Sequence, residues 1–555
     1  MTKTIDTLAV KNLDHLGIIA GIVDELGVVD IVNERLGEDP REQISAGLAV
    51  KAMILNGLGF VSAPLYLFGQ FFQGKATEHL LGAGVSSEQL NDDRLGRVLD
   101  GLYVSGITSV FLSLCLSAVK RYGLSCERAH LDATSMSVTG AYQTGNEGEP
   151  IGGSVPIEIC HGYSRDHRPD LKQFVMNLVC WGDGDMPAFI ELAAGNQSDK
   201  ARFAEVIEQF QQQWDFDGLY VADGALYSAD NLQQLNSLRW ISRVPMTLSA
   251  ANALVDEIDE SAFCASPMAG YRIAEVGSTY GNIRQRWLVV ESSQRQVSDL
   301  KALEKRLDQA TERIQTQLDK LSRQPFACKA DAQQAVEKFK KTLKHHLLRP
   351  IEIVEKPHYD TAGRPAKTAT PTAIHYHIQA TLTLDSEAVE RQQRRAGRFI
   401  LATNVLTPSP TGETAAIAPS EIQLTADDVL SEYKAQQGVE RGFRFLKDPL
   451  FFTSSVFLKS PERIMALAMM MALCLLVYNL GQRQLRQSLN AAHEYVPNQL
   501  GKPTQMPTLR WVFQSFMAIH LVTMNGQAQI LNLNDNHRKI LRFLGSAAQE
   551  YYLLC

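Results

Sequence analysis

Cysteines are few and never closely paired. The eight (115, 126, 160, 180, 264, 328, 474 and 555) are scattered, with no C-x-x-C anywhere, which argues against a zinc ribbon or a secreted disulfide framework. An excess of positive charge is also missing. Formal charge is −7, from 54 Lys and Arg against 61 Asp and Glu, so any nucleic-acid contact must come from local basic patches. The opening MTKTIDTLAV has no basic-then-apolar leader, and a cytoplasmic protein is expected. No uncharged apolar run reaches the ~20 residues that span a bilayer. The nearest, 464–480, is bracketed by Arg463 and Arg483 and reads as a buried core helix. Internal repeats and low-complexity tracts are lacking as well.

What is present is ordinary globular composition over 555 residues, more than one core usually holds. Residues 1–125 read as an all-helical domain, with apolar residues at three- and four-residue steps through 16–36, 44–58 and 104–119. From 126 the period changes. Strands at 130–138, 173–181 and 187–195 precede a helix at 198–214 and a buried strand at 218–225. A short helix at 228–238 and a fifth strand at 239–245 follow. Three antiparallel strands followed by alternating helices and strands is the plan of an RNase H-like core, an α/β fold with a mixed five-stranded sheet and flanking helices. Residues 246–424 interrupt that core as a large α+β insertion with a helical hairpin. The core resumes over 425–485, and 486–555 read as a helical tail.

Two acids sit where apolar strands should exclude them. Asp132 lies in LDATS and Asp223 at the end of YVAD. A carboxylate on a central strand costs several kcal/mol to desolvate unless it is paired or metal-bound. Two of them on strands that neighbour each other in this plan suggest one cation site. A third acid is expected on a helix: Thr425 and Asp428 open it as a capping box, and Tyr433, Glu440 and Lys447 follow at spacings of seven, nearly one face. Gln436 and Arg444 share that face at four residues either side of Glu440. Gly438 and Gly442 flank the acid, where missing side chains let a ligand backbone approach. Basic residues cluster on the loop after strand one (Arg165, Arg168, Lys172), on 338–349 (Lys340, Lys341, Lys344) and on 391–398 (Arg394, Arg395), all suited to phosphate contacts. Trp287 reads as core rather than as a platform for a flipped base.

LDATS, YVADGALYS and the run Tyr433-x2-Gln436-x3-Glu440-x6-Lys447 resemble the DDE transposases of bacterial insertion sequences. The resemblance is to the insertion-sequence-four superfamily, whose signature is Tyr-x2-Arg-x3-Glu-x6-Lys; here Gln436 replaces the arginine, and Arg444 or Arg441 is expected to substitute. It spans about residues 90–480 and implies Asp132, Asp223 and Glu440 as catalytic ligands of two Mg²⁺ ions, with Mn²⁺ as a substitute. It implies Tyr433, Gln436, Arg444 and Lys447 as DNA contacts. Double-stranded DNA, both terminal inverted repeats and target, is the implied partner, handled by a homodimer with no membrane involved. Cut-and-paste transposition is the implied reaction; a structure-selective nuclease and a non-catalytic DNA-binding descendant are the alternatives. The N-terminal region, with 8 Lys and Arg against 14 Asp and Glu in its first 100 residues, is expected to recognise ends or to dimerise.

Overall fold

The computed structural model describes residues 8–38, 40–60, 63–140, 142, 155–197, 199–359, 370–406, 423–448, 458 and 460–554. A short strand, β1 (Leu8–Asn12), precedes seven helices: α1 (Leu16–Leu26), α2 (Val28–Leu36), α3 (Ala46–Leu58), α4 (Phe68–Phe72), α5 (Thr77–Leu81), α6 (Asp92–Val104) and α7 (Ile107–Tyr122). Their ends follow from sequence. Asn91 caps α6 by accepting from the Arg94 amide, and Gly123 stops α7 in the left-handed region at φ +58°, where a Cβ would be strained.

The strands that carry the acids come next. β2 (Arg128–Val138), β3 (Lys172–Trp181) and β4 (Met186–Ala194) form an antiparallel meander. After α8 (Asp199–Trp214) comes β5 (Leu219–Ala222), and after α9 (Ala229–Gln234) comes β6 (Arg239–Arg243). β5 runs parallel to both β2 and β6.

The following stretch holds α10 (Ser249–Glu257), β7 (Cys264–Ala265), β8 (Tyr271–Tyr280), β9 (Ile283–Ser292), α11 (Ser293–Arg323), α12 (Lys329–Lys340), β10 (His346–His358), β11 (Ala373–Leu384), α13 (Ser386–Arg395) and β12 (Arg398–Thr403). The sheet does not stop at the expected five strands. β12 pairs with β6 and with β9, and the sheet continues to nine in the order β4-β3-β2-β5-β6-β12-β9-β8-β7. β6 would otherwise present an unpaired edge. Within this stretch the β10–β11 ribbon forms a separate sheet, around a small core of Phe326, Ala332, Val336 and Ile378.

After α14 (Ala426–Ala435) and α15 (Gln437–Leu446) comes α16 (Pro461–Ala491), the one described helix long and apolar enough to cross a membrane; 89% of its apolar window is buried inside the fold. Arg463 reaches Asp100 on α6 through two hydrogen bonds of 2.8 and 2.7 Å. The tail then runs through β13 (Val496–Pro497), β14 (Pro503–Thr504), α17 (Leu509–Ser515), β15 (His520–Met524), β16 (Gln527–Leu531), α18 (Asp535–Leu544) and α19 (Ser546–Tyr551).

Two expectations change here. The tail is not purely helical, and the N-terminal region is not all helix, because β1 pairs antiparallel with β15, Leu8 opposite Met524 and Asn12 opposite His520. Strands of two to five residues show too few alternations to register as a pattern. The two ends also share a polar knot: the buried Lys51 ammonium on α3 lies 2.6 Å from Asp24 on α1 and 2.8 Å from the Tyr551 hydroxyl on α19.

Gly21 sets how closely α1 and α19 approach. A Cβ there would lie 2.6 Å from the backbone nitrogen of Ala548, and backbone cannot swing aside. Gly21→Val should therefore destabilise the protein by about 1–3 kcal/mol, read as a lowered thermal midpoint. Gly277→Ala, with nothing within 4 Å of the added carbon, serves as the silent control.

Candidate active site

Register brings the two aspartates together. Leu131 on β2 pairs with Ala222 on the parallel strand β5, so Asp132 and Asp223 are the next residues along two adjacent strands. Clefts at the carboxyl ends of parallel strands are where such sheets bind ligands. Asp132 is 8% exposed. Its Oδ1 accepts from the Ala133 amide at 2.8 Å and lies 3.8 Å from an Arg165 nitrogen. Asp223 Oδ1 accepts from the Ala225 amide at 2.8 Å, and its carbonyl accepts from Ser242 Oγ on β6 at 2.8 Å.

Burial pushes the Asp132 carboxyl up from its ordinary 3.8 to about 7; the charges of Asp223 and Glu440 add to the rise, while the Ala133 amide and Arg165 oppose it. Desolvation and like charge act in the same direction on an acid. Asp132 therefore holds a proton over part of the neutral range until a countercharge arrives.

Glu440 comes from α15. The capping box forms as the sequence indicates, with the Asp428 amide donating to Thr425 Oγ1 and the Thr425 amide donating to Asp428 Oδ2. The single expected helix is divided, however. Gln436 ends α14 and begins α15, so Tyr433 lies on α14, Glu440 on α15, and Lys447 just beyond its last turn. Gln436 is buried and turned inward, donating from Nε2 to the Leu131 carbonyl at 3.2 Å. That bond ties the helix pair to the residue before Asp132. The glycines do not open a path for a ligand: Gly438 packs under the Asp185 carboxylate and Gly442 against Leu475 of α16.

Asp223 and Glu440 line one cavity of about 410 Å³ with Tyr433, Gln436, Arg243 and Arg295. The guanidiniums of Arg243 and Arg295 lie 5.7 and 5.6 Å from the centre of the Phe399 ring. Burial raises the Tyr433 phenol and the neighbouring Arg243, which hydrogen-bonds it, pulls it back. Arg243, Arg295 and Lys434, the last also lining the cavity, are cations that the pattern of acids alone does not single out. Arg243 had one visible signal, a charge directly after the apolar run of β6.

Among the described residues no three acids, imidazoles or thiols already stand close enough to hold an ion, yet Asp132 feels the charge of both other acids. Three carboxylates are a hard-oxygen donor set of the kind Mg²⁺ and Mn²⁺ take. A divalent ion would supply the countercharge that the buried Asp132 lacks. The residues fit such an ion.

The remaining expected contacts divide into two groups. Lys447 donates to both oxygens of Asp166, at 2.7 and 2.8 Å, and Arg165 donates to the Ala133 carbonyl; both tie the loop after β2 to the site. Lys172 donates to the Tyr142 carbonyl, and Arg168 is paired with Asp170 at 2.9 and 2.7 Å. Farther away, Lys341, Lys344 and Arg394 are exposed, Lys340 pairs with Glu337, and Arg395 grips Asp256 and Asn252. Neither expected substitute for the signature arginine lines the cavity: Arg441 lies 3.3 Å from Asp185, and Arg444 is exposed on α15. Trp287 is core, 3% exposed, with Nε1 donating to Tyr227 and Gln285.

Comparison with known proteins bears on the same segments. The family described as "Transposase DDE domain" matches residues 129–477, and a domain of unknown function, DUF4277, matches residues 8–116. No curated protein matches. Among solved structures, the chain is similar to a piggyBac transposase in a synaptic complex with hairpin DNA. Identity is 10% over 98% of this chain and 88% of that one, with a TM-score of 0.37.

The raised Asp132 value carries a sign. A folded-state value near 7 against an ordinary 3.8 means the native state binds the extra proton, so metal-free stability falls as pH rises from about 4 to 7. Asp132→Asn removes the penalty. It should leave metal-free stability little changed near pH 4 and raise it at pH 8 by about 2–4 kcal/mol, read as a higher thermal midpoint. Equal midpoints at pH 8 would show that Asp132 is not held against its charge.

Proposed function

The chain belongs to the Transposase DDE domain family, enzymes that act on DNA, and on that premise we propose that it binds the terminal inverted repeats of its own insertion sequence, cuts the 3′ ends and joins them to target DNA by a cut-and-paste route. The observation that carries this reading is the adjacency of Asp132 and Asp223 across β2 and β5, with Glu440 facing the cavity that Asp223 lines. The catalytic segments, 126–245 and 425–485, are proposed as an RNase H-like core. The proposal rests on the three-strand meander followed by two parallel strands. The 246–424 stretch is then the insertion, although four of its strands lengthen the core sheet. Membership of the insertion-sequence-four superfamily is supported by Tyr433, Glu440 and Lys447 in their signature spacing.

DDE transposases use divalent metal ions. Asp132, Asp223 and Glu440 would hold two of them, Mg²⁺ or Mn²⁺, and such ions activate an attacking oxygen and stabilise the leaving one in an in-line displacement. The chain's own groups do the rest. Arg243, Arg295, Lys434 and Tyr433 surround the cavity beside the acids and would hold strand phosphates there by charge and hydrogen bonds. Lys447 and Arg165 would meet DNA once their present partners yield. Gln436 keeps α15 against β2, and so serves position where the superfamily's arginine would contact phosphate. The exposed basic residues Lys341, Lys344 and Arg394 are proposed as backbone contacts to transposon ends or target. The working species is proposed as a homodimer on DNA in the bacterial cytoplasm, with no membrane partner. Residues 1–125 would serve end recognition or dimerisation.

The test is cleavage and joining of labelled duplexes that carry the inverted repeats flanking the gene, in Mg²⁺. Wild-type protein should nick at the element boundary and transfer the 3′ end. Glu440→Gln and Asp223→Asn should each lose at least about 100-fold in rate while retaining end binding. Nicking without joining would favour a nuclease, and binding without any cut in Mg²⁺ or Mn²⁺ a non-catalytic descendant.

A further inference from the structure

We propose that Asp185, in the turn between β3 and β4, is a positioning residue for Glu440, its carboxylate acting as a latch on the first turn of α15. This rests on the reading above, in which Glu440 joins the two aspartates in holding metal.

The turn is built for the role. Gly184 and Asp185 are consecutive left-handed residues, φ +80° and +58°, a pairing that closes a tight hairpin and that aspartate tolerates better than most side chains. The turn is clamped to α16. Asp183 accepts from Arg483 Nε and Nη2 at 2.7 and 2.5 Å and from the Ser125 amide at 3.0 Å, while Asn479 Nδ2 donates to the Asp185 carbonyl at 2.7 Å. Held in this way, the Asp185 carboxylate lies on Gly438. A methyl group built on that glycine would sit 1.8 Å from Oδ1 and 2.1 Å from Cγ. Arg441, one turn along, approaches Oδ2 at 3.3 Å; burial pushes the Asp185 carboxyl up, and the charges of Arg441 and of Arg486 on α16 oppose that rise.

The latch joins two halves of the candidate site. Its fixed end is continuous with β3, whose Leu178 pairs directly with Asp132. Its other end, Gly438, is two residues from Glu440. Glycine in a helix gives up about 1 kcal/mol relative to alanine, yet here no larger residue fits while Asp185 is in place. A carboxylate is also favoured beside the first turn of a helix. Distance between the Asp132 strand and the Glu440 helix is thus set by the latch on one side of α15, and by Gln436 on the Leu131 carbonyl on the other.

The test uses MnCl₂ alone as the probe, on the full chain without DNA. It reads the rise of the thermal midpoint with Mn²⁺ and the amide hydrogen exchange of residues 437–441. Asp185→Ala and Gly438→Ala should each raise the half-saturating Mn²⁺ concentration roughly 10–100-fold, the range found when groups that orient metal ligands are lost. Each should also speed exchange in that turn. The double variant should be no worse than Asp185→Ala alone, because the vacated space takes the methyl, and such non-additivity marks direct contact. Singles that bind Mn²⁺ like wild type, or a double whose losses simply add, overturn the latch and leave the metal site standing. A wild type with no Mn²⁺ response overturns the metal-site reading, and the latch falls with it.

Discussion

A helix that is apolar around its whole circumference has to be wrapped on every side, and α16 imposes that requirement on most of the molecule. Ile464 through Leu480 is buried almost without interruption. Helices α1, α3, α6 and α7 cover it from the N-terminal region, β4 from the sheet, and α15 and α18 from the remaining sides. Removing this apolar surface from water is favourable by roughly 25 cal/mol per Å². The geometry of the candidate site follows from it. Asn479 and Arg483 fix the β3–β4 turn, Leu475 seats Gly442, and Glu440 is thereby presented toward β2 and β5.

Buried charge is the opposing constraint. The sheet places Asp132 where water cannot compensate it, next to another acid and within reach of a third. A fold under selection for stability alone would put Asn or Val there. The retained strain is a sign of function when it sits in a cleft with convergent polar groups. Arg165, 3.8 Å from Asp132, is too far for a strong pair and also donates to the Ala133 carbonyl, while Arg243, Arg295 and Lys434 line the cavity beside Asp223 and Glu440.

The acids were legible because they break a pattern: a carboxylate in an otherwise apolar strand is costly, and Asp132 and Asp223 each do this where strands were already evident. Glu440 was legible through helical spacing. The division of that helix at Gln436 was not, since Gln436 keeps helical backbone angles and only its inward hydrogen bond to Leu131 reveals its task. The two flanking glycines were read as room for a ligand backbone, whereas Asp185 and Leu475 take up that space. Partners hundreds of residues apart in sequence carry no local signal. The same reason hid β1, whose partner strand begins at His520, and the extension of the sheet through β12.

The pairing of β1 with β15 also constrains how the molecule is made. At ~5–20 residues per second a ribosome needs roughly 25–100 s to travel from Asn12 to His520. For that interval the nascent chain has an unpaired first strand. The strands bearing Asp132 and Asp223 emerge long before α15 delivers Glu440, so the growing polypeptide carries an acidic pair without its third member while more than 200 further residues are added. An unfinished product stalled before residue 440 has two acids and no means of completing the set. The candidate site is in this way assembled from strands and a helix made at well-separated times.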